Sequence, residues 1–363
     1  MFGPTRFACL NTAFAIAALL LLSSVAVRCH ADQLSSTDTI DFSGYVDGII
    51  PYDNNDVPSR ARPYTTQPYY SDEAALNLGY IDARLRSQDY RGRLALQYGS
   101  SVIANYAAEP ELFFRHIQEG FVGTRVADGL TLDVGIFFSH IGMETWISRD
   151  NINVGRSLIA DYSPYYQSGA RLTFTPSDDV TTELHIIRGW QNISGDEQPA
   201  LGTKIAYSPS ERLTLQHASF VGEVGGLRVF NDVGFQFRAS SRFSVIGAYD
   251  LGLQERRDDT TAVWHGWALS SRYQAIKDTA VGFRVERYAD PSQVLIQSLS
   301  SRSFTAVGLS CNIDYAVTER LTWRNEYRVL IGTQDVFPDE NTFARSDSIV
   351  TSSIQYTLDS RER

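Results

Sequence analysis

The sequence predicts an all-β protein: a transmembrane antiparallel β-barrel of about sixteen strands, with short periplasmic turns and long extracellular loops. Three observations predict it. After residue 31 the chain is a series of alternating apolar and polar segments, each near the ~9–11 residues that a tilted membrane strand needs. The connections take turns as well: a polar turn of about three to five residues, then usually a longer irregular loop. Aromatic residues reach 12%, with 19 Tyr and 19 Phe, and many stand beside the tight turns.

Residues 1–31 read as a secretory signal peptide. Arg6 gives a positive start, 13–22 is apolar, and Cys29-His30-Ala31 is a small-residue cleavage site before Asp32. A lipoprotein signal needs a small residue before Cys29, where Arg28 stands. Residues 32–363 then form a single barrel domain. The signal carries Arg6 and Arg28 and no acid, which leaves 30 Lys and Arg against 42 Asp and Glu, a formal net charge of −12. That balance argues against a nucleic-acid partner, which needs a basic footprint. Cys311 alone survives cleavage, so no internal disulfide is expected. No stretch after the signal approaches the ~18 apolar residues of a membrane helix.

The clearest strand is Tyr90–Tyr98. Tyr90, Gly92, Leu94, Leu96 and Tyr98 fall on one face, and Arg91, Arg93, Ala95 and Gln97 on the other. A lipid outside and a wet inside want that pattern. Leu172 and Phe174 alternate with Arg171 and Thr173. Val180, Thr182, Leu184 and Ile186 alternate with Thr181, Glu183 and His185. Val281, Phe283 and Val285 alternate with Gly282, Arg284 and Glu286. The run from Thr305 to Tyr315 and that from Leu321 to Arg328 repeat the pattern, with Asn325 on the apolar side. Segments 76–85 and 117–126 change phase partway, as a bulge would make them do.

Tight turns are expected near 87–89, 127–129, 176–179, 208–212, 239–242, 275–278 and 316–320. The intervening connections are 50–74, 100–116, 139–165, 191–200, 222–227, 254–261, 289–302 and 332–347. Phe174, Tyr207, Phe237, Phe243, Tyr273, Tyr315 and Trp323 would form an aromatic girdle at the periplasmic rim, where an amphipathic ring suits the interface. The last alternating segment ends at Leu358 with a charged tail rather than on a terminal aromatic.

The loop sequences Pro58–Pro68, Gly135–Gly142, Trp146–Asn151 and Ser157–Gly169 resemble those of the β-barrel porin-2, OmpL-like family. The similarity runs from about residue 40 to the C-terminus, and 135–169 is its most specific part. The resemblance implies a porin in the outer membrane of a Gram-negative bacterium and implies no particular solute.

In sixteen-stranded porins generally the third loop folds into the lumen. By analogy, 139–165 is expected to be the constriction, carrying Glu144, Trp146, Arg149, Asp150, Arg156 and Asp161. The bland alternative is an external lid. Polar-phase positions supply a lumen wall of Arg91, Arg93, Arg171, Glu183, Arg284, Glu286, Arg324, Glu326 and Arg328, since charge is costly on the lipid face. A basic wall facing an acidic loop would set up a transverse field. Equally, the lumen charges could pair among themselves and only stiffen the barrel. Small inward residues (Ala95, Gly99, Gly282, Ala306, Gly308) would leave room for water.

The expected function is passive diffusion of small polar solutes or ions through a water-filled channel. The alternatives are a plugged barrel used for surface binding or adhesion, and a sugar-selective porin using Tyr64, Tyr69 and Tyr70. An enzyme is not expected: no G-x-S-x-G or H-E-x-x-H occurs, and His265 and Ser271 lie about 20 Å apart along one strand. The histidines show no metal-ligand spacing, and neither metal nor cofactor is expected. Expected partners are outer-membrane lipid, the barrel-assembly machinery, the diffusing solutes and a possible second copy of the chain.

Overall fold

The structure, a computed structural model, describes residues 38–359; the expected signal segment lies outside them. Fifteen barrel strands follow in order: β1 (Thr39–Asp53), β2 (Ala75–Arg86), β3 (Tyr90–Tyr98), β4 (Ile117–Ala127), β5 (Leu130–Phe138), β6 (Tyr166–Ser177), β7 (Val180–Arg188), β8 (Pro199–Ser210), β9 (Leu213–Glu223), β10 (Leu227–Arg238), β11 (Phe243–Glu255), β12 (Thr261–Ile276), β13 (Thr279–Asp290), β14 (Phe304–Ala316) and β15 (Leu321–Gly332). A small hairpin, β16 (Phe337–Asp339) with β17 (Thr342–Ala344), sits in the last loop, and β18 (Ser346–Asp359) is the sixteenth barrel strand. Each barrel strand pairs antiparallel with its sequence neighbours, and β18 closes the ring on β1. Closure removes every sheet edge, which a bilayer demands because hydrocarbon satisfies no backbone polar group.

Alternation sorts the faces as the sequence suggested. On β14, Val307, Leu309, Ile313 and Tyr315 are exposed, while Ser310, Asn312 and Asp314 are buried. The seven predicted girdle aromatics are all exposed on the outer surface. The two phase changes are bulges: the β1–β2 register shifts between Asp47 and Gly48, and the β3–β4 register between Ala95 and Leu96. One connection differs from expectation. Between β9 and β10 only 224–226 intervene, where Gly225 and Gly226 at φ 68° and 140° allow a tight reversal.

The lumen also differs. Its extracellular half is a packed apolar core: Phe220, Phe230, Trp264, Tyr288 and Phe304 point inward and are fully buried. Loop residues complete it. Tyr64 packs on Phe304 with ring centroids 5.0 Å apart, and Trp190 on Phe220 at 4.8 Å. The small inward residues do not leave water-filled room, because neighbours lean over them. A side chain on Gly282 would meet the Asn312 amide, and one on Gly308 would meet Glu286. Gly99 starts a short helix, 100–105, against the Asn77 backbone.

Candidate functional site

Loop 139–165 leaves the wall at the Phe138–Tyr166 pair, three residues beyond Gly135 and Gly169, which face each other across β5 and β6 at φ above 140°. It then crosses the inside of the barrel. Ser157 caps a short helix, Leu158–Asp161, by accepting from the Ala160 N–H.

The first part runs along β6 to β10. His140 Nε2 lies 2.8 Å from the Ser219 carbonyl, and its Nδ1 lies 2.8 Å from the Gln167 side-chain amide. The Gly142 carbonyl accepts from the Gln216 amide at 3.1 Å. Burial, and the His185 ring stacked 4.3 Å away, push the His140 pKa down to about 4. A neutral ring suits these contacts: Nε2–H donates to Ser219, and Nδ1 accepts once the Gln167 amide is turned to present its otherwise unpartnered nitrogen.

The second part is gripped by arginines on the opposite wall. Arg324 donates to the carbonyls of Ser148, Asn151 and Ile152 at 2.6, 3.1 and 2.7 Å, and is itself held by Asp314 at 3.0 Å. Arg284 donates to the Gly155 carbonyl at 2.7 Å. Glu326 accepts from the Gly155 N–H and Glu286 from the Leu158 N–H, each at 2.6 Å. Arg328 pairs with Glu286 at 2.8 Å. All five are buried, so their charge is spent on the loop and on each other.

The loop residues singled out by sequence fall into two groups. Trp146 is buried and donates its indole N–H to Gln97 at 3.1 Å. Arg156 lies buried with its guanidinium 3.7 Å from the Tyr165 ring, and Asp161 accepts from Thr66 and Tyr165. Burial raises the Asp161 pKa, with Arg156 opposing. Glu144 accepts from the Ser157 N–H at 2.9 Å and stands 3.9 Å from Arg284. Arg149 and Asp150, by contrast, are exposed at the tip and pair with each other at 3.2 Å.

The wall arginines of β3 and β6 do not face loop acids. Arg91 and Arg171 both bind Asp133, at 2.6 and 2.7 Å, and Arg93 binds Asp82 and Glu119. Glu183 pairs with His185 at 2.8 Å. The expected basic wall facing an acidic loop is met only at Arg284 and Glu144: Asp150 and Asp161 are answered by loop arginines, and the other wall charges pair largely within the wall. Three of the arginine–carboxylate pairs share one polarity. The Arg91 side chain is 42% exposed over an Asp133 that is 0% exposed, Arg84 is 39% over Asp82 at 0%, and Arg272 is 35% over Asp314 at 5%. In these three pairs the guanidinium faces the lumen and the carboxylate lies behind it, whereas in the Glu183–His185 pair the carboxylate is the more exposed partner, at 16% against 0%.

Sequence reasoning missed Asp82, Asp314, Gln97, Gln355 and Thr357 as parts of the site. Asp82 follows the phase change in β2, so its side could not be assigned. The others are ordinary polar-phase residues whose importance comes from contact with a loop far away in sequence.

The family model described as "Putative beta-barrel porin-2, OmpL-like" matches residues 39–358. No curated protein sequence matches the chain. Among solved structures, the anion-selective porin from Comamonas acidovorans is similar at TM-score 0.61 and 9% identity, covering 88% of this chain and 100% of that one. OmpT of Vibrio cholerae in its trimer form is similar at 0.57 and 8%, covering 89% and 100%. Salmonella typhi OmpF is similar at 0.54 and 11%, covering 89% and 98%. At these identities the likeness is one of fold.

Proposed function

The chain belongs to the beta-barrel porin-2, OmpL-like family and is a porin of the bacterial outer membrane; from that premise we propose that loop 139–165 is its constriction and that small anions are its preferred solutes. The polarity of the periplasmic ion pairs carries this reading. A solute beside the loop meets Arg84, Arg91 and Arg272, while the carboxylates that balance them are buried. Low-dielectric walls focus such a field and raise the local concentration of the opposite charge. Lys204, on the same inner face, adds to it. Selection is by charge and width.

The test is single-channel recording of the refolded protein in a planar bilayer under a salt gradient. Stable steps with a reversal potential on the anion side support the reading. A cation-side potential sinks the preference but not the pore.

The packed aromatic core in the extracellular half favours a second reading, a barrel that its loops close. Protein that is folded yet silent at all voltages would move the assignment there, toward surface binding or adhesion. Homo-oligomerisation, described for the Vibrio cholerae OmpT trimer form, and insertion by the barrel-assembly machinery belong to the porin reading. Chemical cross-linking in the native membrane tests the first.

A further inference from the structure

We propose that Asp232 and Asp250 form, with oxygen atoms of loop 139–165, a binding site for one hard divalent cation that fastens the loop to the β10–β11 wall. The two residues are direct cross-strand partners. Both point inward and both are buried, at 0% and 4% exposure. Neither is ion-paired with Lys or Arg among the described residues. The two carboxylates face each other within hydrogen-bond reach; Asp232 Oδ2 and Asp250 Oδ1 receive no donor, and Asp232 is otherwise reached by the Gly142 N–H and, at 3.4 Å, by the Gln216 amide. Like charges directly opposite one another destabilise a sheet, and a buried carboxylate pair takes up either a counter-charge or a shared proton.

Space for one is present. A cavity of about 20 Å³ lies between these carboxylates and the loop, enough for a single water-sized occupant. Asn153 and Ser270 line it with neutral oxygens, and the Gly142 segment closes one side. Glu144 also lines it, but its carboxylate already accepts from Ser157 and faces Arg284. Two uncompensated carboxylates then remain, which matches a doubly charged ion. Oxygen donors without thiolate or imidazole suit Ca²⁺ or Mg²⁺ rather than a softer metal. Such an ion would be shared by wall and loop, so it would hold the first half of the loop as Arg324 and Arg284 hold the second.

The experiment is calorimetric titration of Ca²⁺ into full-length refolded protein stripped with EDTA. One site is expected, weakened by about tenfold or more in Asp232→Asn and in Asp250→Asn, since each removes a charged ligand. Asp258→Asn, in the external loop between β11 and β12, should bind as the parent does. Circular dichroism establishes that each variant is folded. If the folded parent takes up no Ca²⁺, or both Asn variants bind it unchanged, the proposal falls and the two carboxylates share a proton instead. The readout is binding, so silence in a bilayer leaves it intact.

Discussion

Arg149 donates from Nη1 to Thr357 Oγ1 at 2.7 Å. Thr357 lies near the periplasmic end of β18, and its own backbone N–H donates to the Arg320 carbonyl, in the turn between β14 and β15, at 2.9 Å. A loop whose two ends leave the extracellular rim thus touches down beside a periplasmic turn. Its tip is not a rim ornament: it lies deep in the barrel, against the wall, with Arg149 also 5.7 Å from the Tyr45 ring.

Arg324→Ala should be the most damaging single change to the loop seat. It strands the Asn151 carbonyl, leaves the Ser148 carbonyl to the Asn151 N–H and the Ile152 carbonyl to the Asn312 amide, and leaves the buried Asp314 to Arg272 and Asn312. Removing one partner from a buried pair costs about 3–5 kcal/mol. Thermal unfolding in detergent should show that loss. Arg324→Lys should recover only part of it, because one ammonium cannot reach three carbonyls and a carboxylate as a planar fork does.

Thr357→Val should behave differently. The contact is half-exposed, so stability should fall by no more than about 1 kcal/mol. Freed at its tip, the loop should fluctuate, and single-channel steps should become noisier. A quiet trace identical to the parent's would show that the tip contact does not set the pore.

His140 gives the seat a pH dependence. Its folded pKa, about 4, lies below its ordinary value of 6.5. The unfolded or unseated loop therefore binds the proton more readily, and stability rises with pH across that window. The seat is at full strength above pH 6.5 and weakens as pH falls toward 4, by up to about 3 kcal/mol. Melting temperature against pH should slope accordingly. His140→Gln should flatten the slope.

Much of this was legible in the sequence and some was not, for physical reasons. Period-two alternation gives the face of a strand directly, so Arg91, Arg171, Arg284 and Arg328 could be set inside from spacing alone. Loop 139–165 stood out by length and residue content. Its destination did not, because Ser148 meets Gln355 and Asn153 meets Asn312 through register and folding-in, which leave no local pattern. The same is true of the lumen interior. Phe220, Phe230 and Trp264 occupy the polar phase, and alternation reads such residues as exceptions until loops arrive to cover them.

Arg84→Gln with Arg86→Gln should lower the anion preference. Both side chains are exposed at the periplasmic mouth, against the buried Asp82 and the partly buried Asp41. Arg93 still answers Asp82, so the barrel should stay intact. The reversal potential should move toward the cation side. No movement would place the selective step elsewhere.

The path of the loop is tested most directly by a cysteine at its tip. Arg149→Cys, in a Cys311→Ser background, would be recorded in an oriented bilayer while a bulky charged thiol reagent is added to one side. A stepwise fall in current is expected on addition from the periplasmic side and none from the extracellular side. Block from the extracellular side alone would contradict it, and the loop would then be a lid rather than a constriction.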